Sequence, residues 1–147
     1  ALDKLTPILE AHLDLCQSKG FDGVEFDNVD GWQNETGFNL TAEDQLAFNR
    51  WLADAAHARG LLAGLKNDPD QIEELEPWFD FAVLESCFSQ DWCDASSPFI
   101  EANKAVFVIE YRSITKYCSL AQVQSISLIQ KNRELGSERS SCPTQAD

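Results

Sequence analysis

Apolar and polar positions alternate along the chain in a way that predicts five short buried strands separated by helices. Residues 42–59 form the clearest helix, because apolar side chains recur there at intervals of three and four. Thr41 and Asp44 resemble a capping box at its start. Thr6 is expected to cap the first helix, with Pro7 in its first turn. Helices are predicted over residues 6–19, 42–59, 69–77, 97–102 and 115–123. Strands are predicted over residues 21–26, 61–65, 80–85, 104–110 and 125–130.

This alternation is typical of an α/β protein with a parallel sheet and helices packed outside it. The chain has 147 residues, the size of one ordinary domain. We therefore expect residues 1–147 to form a single α/β domain. The polar tail from Gly136 onward is expected to be irregular.

The charge of the chain limits its partners. Eleven Lys and Arg against 25 Asp and Glu give a net charge of −14. A nucleic acid would be repelled, so neutral or cationic partners are expected. No apolar run is long enough to span a membrane, so no membrane partner is expected either.

The five cysteines favour an oxidising compartment. Cys87 and Cys93 enclose a short loop that a disulfide could close. Cys118 and Cys142 flank the last segment and could form a second disulfide. Cys16 lies on an apolar helix face and is expected to be a buried free thiol.

Two glycosylation sequons lie close together and begin at Asn34 and Asn39. A single sequon is weak evidence, but two in one polar loop beside paired cysteines favour an exported protein. We therefore predict a secreted, extracellular glycoprotein.

Polar side chains follow the predicted strands where each strand ends. Asp27 follows the first strand, Lys66 and Asn67 the second, Glu85 the third and Glu110 the fourth. The carboxyl ends of parallel strands point to one rim, and active sites of such proteins lie on that rim. We therefore expect these side chains to converge. Asp68, just before Pro69, is expected to be only a helix cap.

Two carboxylates across a cleft suit hydrolysis of a glycosidic bond. One donates a proton to the leaving oxygen, and the other stays ionised to attack the anomeric carbon or to activate water. Glu85 follows the apolar run FAVL, which favours the acid role. Asp27, beside Asn28 in a polar loop, is expected to be the ionised partner. Asp27, Asp30 and Glu85 could instead hold a divalent cation, but we rank that lower and predict no metal or cofactor.

Aromatic and cationic side chains near the rim are candidates for sugar contacts. Trp32, Trp92 and Tyr111 could stack on sugar faces. Lys66 could keep a carboxylate ionised or bond to a sugar hydroxyl.

The sequence GFDGVEFDNVDGW, residues 20–32, resembles glycoside hydrolase family 114, the endo-α-1,4-polygalactosaminidases and related proteins. The likeness continues through residues 40–61, GLKND (64–68), LESCF (84–88) and VFVIEY (106–111). Leu84 stands where members commonly have Asn, and Phe26 stands where Pro is frequent.

The resemblance implies a (β/α)8 TIM barrel that hydrolyses a polysaccharide of α-1,4-linked galactosamine. Such a polymer is cationic where deacetylated, which fits the net charge of −14. The resemblance places the catalytic pair at Asp27 and Glu85. It also places six residues around the substrate cleft: Asn28, Asp30, Lys66, Asn67, Glu110 and Tyr111.

The match covers only the last five βα units of such a barrel. We therefore expect a partial barrel that lacks the first three strands and is incomplete at the N-terminus. Strand edges left open in this way would favour self-association. Two alternatives stay open beside the glycosidase: a lectin-like protein that binds the sugar without cleaving it, and a truncated barrel with a structural role.

Overall fold

The computed structural model describes residues 2–143. They form two compact units, one up to Asp80 and one from Phe81 onward. Both units alternate strands with helices, as the α/β prediction requires. Among the described residues, the strands of neither unit close into a barrel by themselves, which agrees with the predicted partial barrel. No helix in residues 2–143 has both the length and the apolar character needed to cross a bilayer.

The first unit pairs two parallel strands and packs helices beside them. Its elements are α1 (Leu2–Ser18), β1 (Gly23–Phe26), α2 (Ala42–His57), β2 (Leu62–Lys66) and α3 (Ile72–Leu75), with 3₁₀ turns at Gly31–Gln33 and Glu76–Trp78. The register pairs Gly23 with Leu62 and Phe26 with Leu65. A Cβ atom on Gly23 would lie 2.8 Å from the Leu62 carbonyl oxygen, so only glycine permits this approach of the strands.

Helix α2 follows the prediction closely. The Thr41 hydroxyl accepts a hydrogen bond from the Asp44 amide, and the Asp44 carboxylate accepts one from the Thr41 amide. This capping box satisfies two otherwise unpaired donors at the start of the helix. The inward face of α2 buries apolar side chains completely or almost so, namely Leu52, Ala53 and Ala56.

The starts of α1 and α3 differ from the predictions. Helix α1 begins at Leu2, so Pro7 lies inside it and Thr6 does not cap it; the Thr6 hydroxyl donates to the Leu2 carbonyl instead. Proline costs the helix one hydrogen bond, and Pro7 is exposed, where water can replace that bond. Helix α3 begins only at Ile72, and Gln71 rather than Asp68 holds the N-cap position. Asp68 has a positive φ of 56°, unlike the extended backbone typical of an N-cap residue.

The second unit contains three parallel strands and one short antiparallel strand. Its elements are β3 (Phe81–Glu85), α4 (Ser97–Glu101), β4 (Ala105–Glu110), α5 (Cys118–Val123), β5 (Ser127–Gln130) and β6 (Ser140–Ser141), with 3₁₀ turns at Cys93–Ser96 and Thr115–Tyr117. Strand β4 lies between β3 and β5. Strand β6 pairs with β5 in a tail that was expected to be irregular.

Both predicted disulfides are present. Cys87 and Cys93 close the loop after β3, with their Cα atoms 4.7 Å apart. Cys118 and Cys142 join the start of α5 to the tail, with their Cα atoms 5.4 Å apart. The second disulfide holds the tail beside β5, which explains why β6 forms. Cys16 is a free thiol, but it is half-buried rather than buried.

Candidate active site

Asp27 lies directly after β1 and forms an ion pair with the last residue of β2. The Lys66 Nζ atom lies 2.9 Å from Asp27 Oδ1 and 3.4 Å from Glu25 Oε1. The Lys66 side chain is only 7% exposed, whereas 61% of the Asp27 side chain is exposed. Parallel pairing of β1 and β2 brings these strand ends together. The result is a solvent-facing carboxylate held by a buried ammonium group.

This ion pair favours the charged form of Asp27. The hydrogen bond from Lys66 lowers the pKa of Asp27 below its ordinary value, and the Lys66 charge and the Asn28 backbone act in the same direction. Partial burial opposes them. Asp27 therefore has the protonation state that a nucleophile or a general base requires.

The residues that follow β1 and β2 leave their strands through strained turns. Asn28 and Asn67 have positive φ values of 57° and 52°. Asparagine tolerates this left-handed conformation better than most residues do. The Asn28 side-chain amide donates a hydrogen bond of 3.2 Å to Asp27 Oδ2. Asn28 thus helps to orient the candidate catalytic carboxylate.

Trp32 and Asp30 belong to the loop between β1 and α2. Trp32 lies in the short 3₁₀ turn Gly31–Gln33, and Asp30 precedes that turn without capping it through its side chain. Both side chains are half-buried. The structure thus places these two predicted substrate contacts in the same unit as Asp27.

A buried polar network beneath this loop was not predicted from the sequence. Asp68 is fully buried and does not cap a helix. The Asn49 amide donates to Asp68 Oδ2 at 3.2 Å and to the Val29 carbonyl at 2.9 Å, and it accepts a bond from Gln45 at 2.9 Å. Helix α2 is thereby tied to the loop that carries Asp27.

Burial changes the protonation of Asp68. Desolvation, reinforced by the nearby charges of Asp30, Asp70 and Glu74, raises the pKa of Asp68 to about 7, although the Trp32 side chain opposes the shift. Asp68 Oδ1 finds no hydrogen-bond partner within residues 2–143. The signal that could have revealed this network is a polar residue, Asn49, at a core position of α2.

Glu85, the last residue of β3, is held by a tyrosine that follows β4. The Tyr111 hydroxyl donates a hydrogen bond to Glu85 Oε1. Both side chains are half-buried. Parallel pairing aligns Glu85 with Ile109, two residues before Tyr111. Tyr111 therefore contacts the proposed acid directly, which the predicted stacking role did not include.

Glu110 has a different environment from Glu85. It is 1% exposed, and its Oε1 atom accepts hydrogen bonds from the backbone amides of Phe88 and Ser89, at 2.9 and 3.1 Å. These bonds anchor the loop after β3, next to the Cys87–Cys93 disulfide. A contact between Glu110 and substrate stays a prediction.

The structure thus gathers the predicted site residues into two groups. Asn28 and Lys66 each donate a hydrogen bond to Asp27 in the first unit, where Asn67 follows Lys66. Glu85 and Tyr111 contact each other in the second unit. In residues 2–143, no three His, Cys, Asp or Glu side chains gather as metal ligands would.

The predicted glycosylation sites lie in the loop before α2. Asn34 and Asn39 are both exposed, as an acceptor asparagine must be. Attachment of a glycan there stays a prediction. The two disulfides are consistent with an extracellular, oxidising environment.

Known structures share this fold. The crystal structure of Aspergillus fumigatus Ega3 in complex with galactosamine is 35% identical, with a TM-score of 0.85 over 92% of this chain and 60% of that chain. The glycoside hydrolase domain of PelA from Pseudomonas aeruginosa shares the fold at 13% identity, with a TM-score of 0.64 over 90% of this chain and 61% of that domain. The chain therefore spans about three fifths of the length of these solved structures.

Among curated proteins, none matches the sequence significantly. The sequence model of Glycoside-hydrolase family GH114 matches residues 2–147, which is nearly the whole chain. This confirms the resemblance seen in the DNVDG and GLKND segments. The chain belongs to glycoside hydrolase family GH114.

Proposed function

We propose that this chain carries the catalytic residues of an endo-acting glycosidase that cleaves α-1,4-linked galactosamine polymers. The observation that carries the proposal is the exposed Asp27 carboxylate, held ionised by buried Lys66 at 2.9 Å. A carboxylate that stays ionised while facing solvent is what glycosidic hydrolysis needs on one side of the bond.

Glu85 supplies the second carboxyl group in this mechanism. It gives its proton to the glycosidic oxygen as the bond breaks, while Asp27 either attacks the anomeric carbon or activates a water molecule. The hydrogen bond from Tyr111 fixes the orientation of Glu85, which proton transfer in the transition state requires. Asn28 fixes one oxygen of Asp27 in the same way.

Charge and similarity both support the choice of substrate. A net charge of −14 attracts a polymer that carries ammonium groups, and it speeds their encounter at low ionic strength. The Ega3 structure, 35% identical, contains galactosamine. A partly deacetylated galactosamine polymer, which carries both ammonium groups and acetylated units, is therefore the substrate to test first.

The test compares Asp27→Asn and Glu85→Gln with the wild-type protein. Release of reducing ends from this partly deacetylated α-1,4-linked polymer should fall at least about a hundredfold in each variant, because each removes one half of the acid–base pair. Asp54→Asn, on the exposed face of α2, is the matched control and should keep full activity. Binding of the polymer should persist in all three variants.

Two results would contradict the proposal. One is hydrolysis at the wild-type rate by either carboxylate variant. The other is a wild-type protein that binds the polymer but never releases reducing ends, which would favour the lectin-like alternative. Polymers of β-1,4-linked glucosamine serve as the substrate control, since they carry the same charge with a different linkage.

A further inference from the structure

A small pocket lies beside Glu85 and has the opposite charge to the rest of the protein. Its volume is about 270 Å³, and it is lined by Ser86, Ser89, Gln90, Tyr111, Arg112 and Arg133. Ser86 directly follows Glu85, and Tyr111 contacts Glu85. The volume lies near the lower limit of about 300 Å³ for small-molecule sites, so it suits one sugar unit rather than several.

Among residues 2–143, the lining of this pocket is cationic and includes no carboxylate. The whole chain has 11 basic against 25 acidic residues, yet the described lining contains two arginines and no acid. The Arg133 guanidinium lies 4.8 Å from the centre of the Tyr111 ring, a distance typical of cation–π contacts. The contact therefore places the Arg133 charge against Tyr111, the residue that donates a hydrogen bond to Glu85.

Such a lining discriminates between sugar substituents. Guanidinium groups only donate hydrogen bonds, so they match a carbonyl or carboxylate oxygen. An ammonium group presents only donors and a like charge, so it is disfavoured. We propose that this pocket is a saccharide subsite for a unit whose substituent accepts hydrogen bonds and carries no positive charge, such as an N-acetylated amino sugar.

This inference rests on the proposed function, because it places the subsite next to the proposed acid Glu85. It refines the substrate: the −14 chain attracts a cationic polymer, while the pocket selects an uncharged unit at the point of cleavage. Partly acetylated galactosamine chains would then be cut where an acetylated unit occupies the pocket.

Binding measurements test the subsite separately from hydrolysis. Tetrasaccharides of α-1,4-linked galactosamine, either fully acetylated or fully deacetylated, are titrated into the Asp27→Asn protein by calorimetry at low salt. Arg112→Gln and Arg133→Gln are then introduced together into the Asp27→Asn protein, and both titrations are repeated. Coulomb repulsion at about 6 Å in water amounts to about threefold per arginine, so the ratio of the two affinities should shift about tenfold toward the deacetylated ligand. Salt should shrink this shift.

Two further variants keep the result interpretable. Arg139→Gln removes an arginine of the same unit that lies outside this pocket, and should leave the ratio unchanged. Replacing both pocket arginines by lysine keeps the charge, and should preserve most of the preference. A galacturonic acid tetramer distinguishes a carboxylate from an acetyl group as the preferred acceptor.

The proposal is overturned if the double Arg→Gln change leaves the affinity ratio where it was, or if Arg139→Gln shifts it equally. Absence of reducing ends from every substrate would refute the proposed hydrolysis but not the subsite, which the affinity ratio tests by itself. Mass spectrometry of the products released by the wild-type protein supplies a second readout. The subsite predicts that acetylated units occupy one fixed position relative to the chain ends that cleavage creates.

Discussion

Replacing Asp68 by asparagine should stabilise the protein at pH 8 and leave its stability nearly unchanged at pH 4. Asp68 is fully buried, and one of its oxygens has no hydrogen-bond partner in the described part of the chain. Burial and neighbouring acids raise its pKa from 3.8 to about 7. Asparagine keeps the shape and the acceptor for Asn49, but it cannot ionise.

The sign and size of the effect follow from proton linkage. Between about pH 4 and pH 7 the folded state keeps the Asp68 proton, whereas the unfolded state loses it. The contribution of Asp68 to stability is therefore complete below pH 4 and is lost as the pH rises to about 7. The slope is about 1.4 kcal/mol per pH unit, so the loss approaches about 4 kcal/mol. Asp68→Asn avoids this loss.

Denaturant unfolding of both proteins at intervals from pH 4 to pH 8 provides the measurement. The difference in unfolding free energy between variant and wild type should grow steadily up to about pH 7 and then level off. Asp54→Asn is the control, because it removes an exposed carboxylate from the same unit. A constant difference between Asp68→Asn and wild type across this range would refute the reasoning.

Three further changes have distinct expected outcomes. Lys66→Gln removes the hydrogen bond and charge that keep Asp27 ionised, so the acidic limb of the kcat/KM profile should move to higher pH; an unmoved limb would count against the ion pair. Tyr111→Phe keeps the ring but loses the bond to Glu85, so kcat should fall about tenfold with little change in KM; a rise in KM alone would indicate a binding role. Cys118→Ser opens a disulfide across 24 residues and should cost about 3 kcal/mol in urea unfolding, whereas an unchanged midpoint would show that the tail contributes nothing.

The first five strands were predictable to within two residues, whereas β6 was not predicted. Residues 104–110 were expected as a strand and Ala105–Glu110 form one, because a run of apolar, largely β-branched residues ends at a charged one. The capping box of α2 was also predictable, since Thr41 and Asp44 interact over only three residues. Local patterns of this kind do not depend on distant parts of the chain.

Burial, by contrast, depends on packing that the sequence does not display. Asp68 before Pro69 has the pattern of a helix cap, yet it lies in the core against Asn49 of α2, 19 residues away in sequence. The Glu85–Tyr111 hydrogen bond spans 26 residues and requires β3 and β4 to pair in one register. The candidate carboxylates and Lys66 were predictable because strand ends are local features, whereas the bond from Tyr111 to Glu85 was not.

In the turns that follow the strands, a side chain can be removed without changing the conformation of the backbone. Asn28, Asn67 and Ser86 each leave a strand with φ between 52° and 61°. Glycine adopts this shape at no steric cost, whereas a β-branched residue would be strained by about 1–2 kcal/mol. Asn28→Gly would therefore keep the path of the chain while deleting the amide beside Asp27. An enzyme engineer can use these positions to remove one polar group at a time without moving its neighbours.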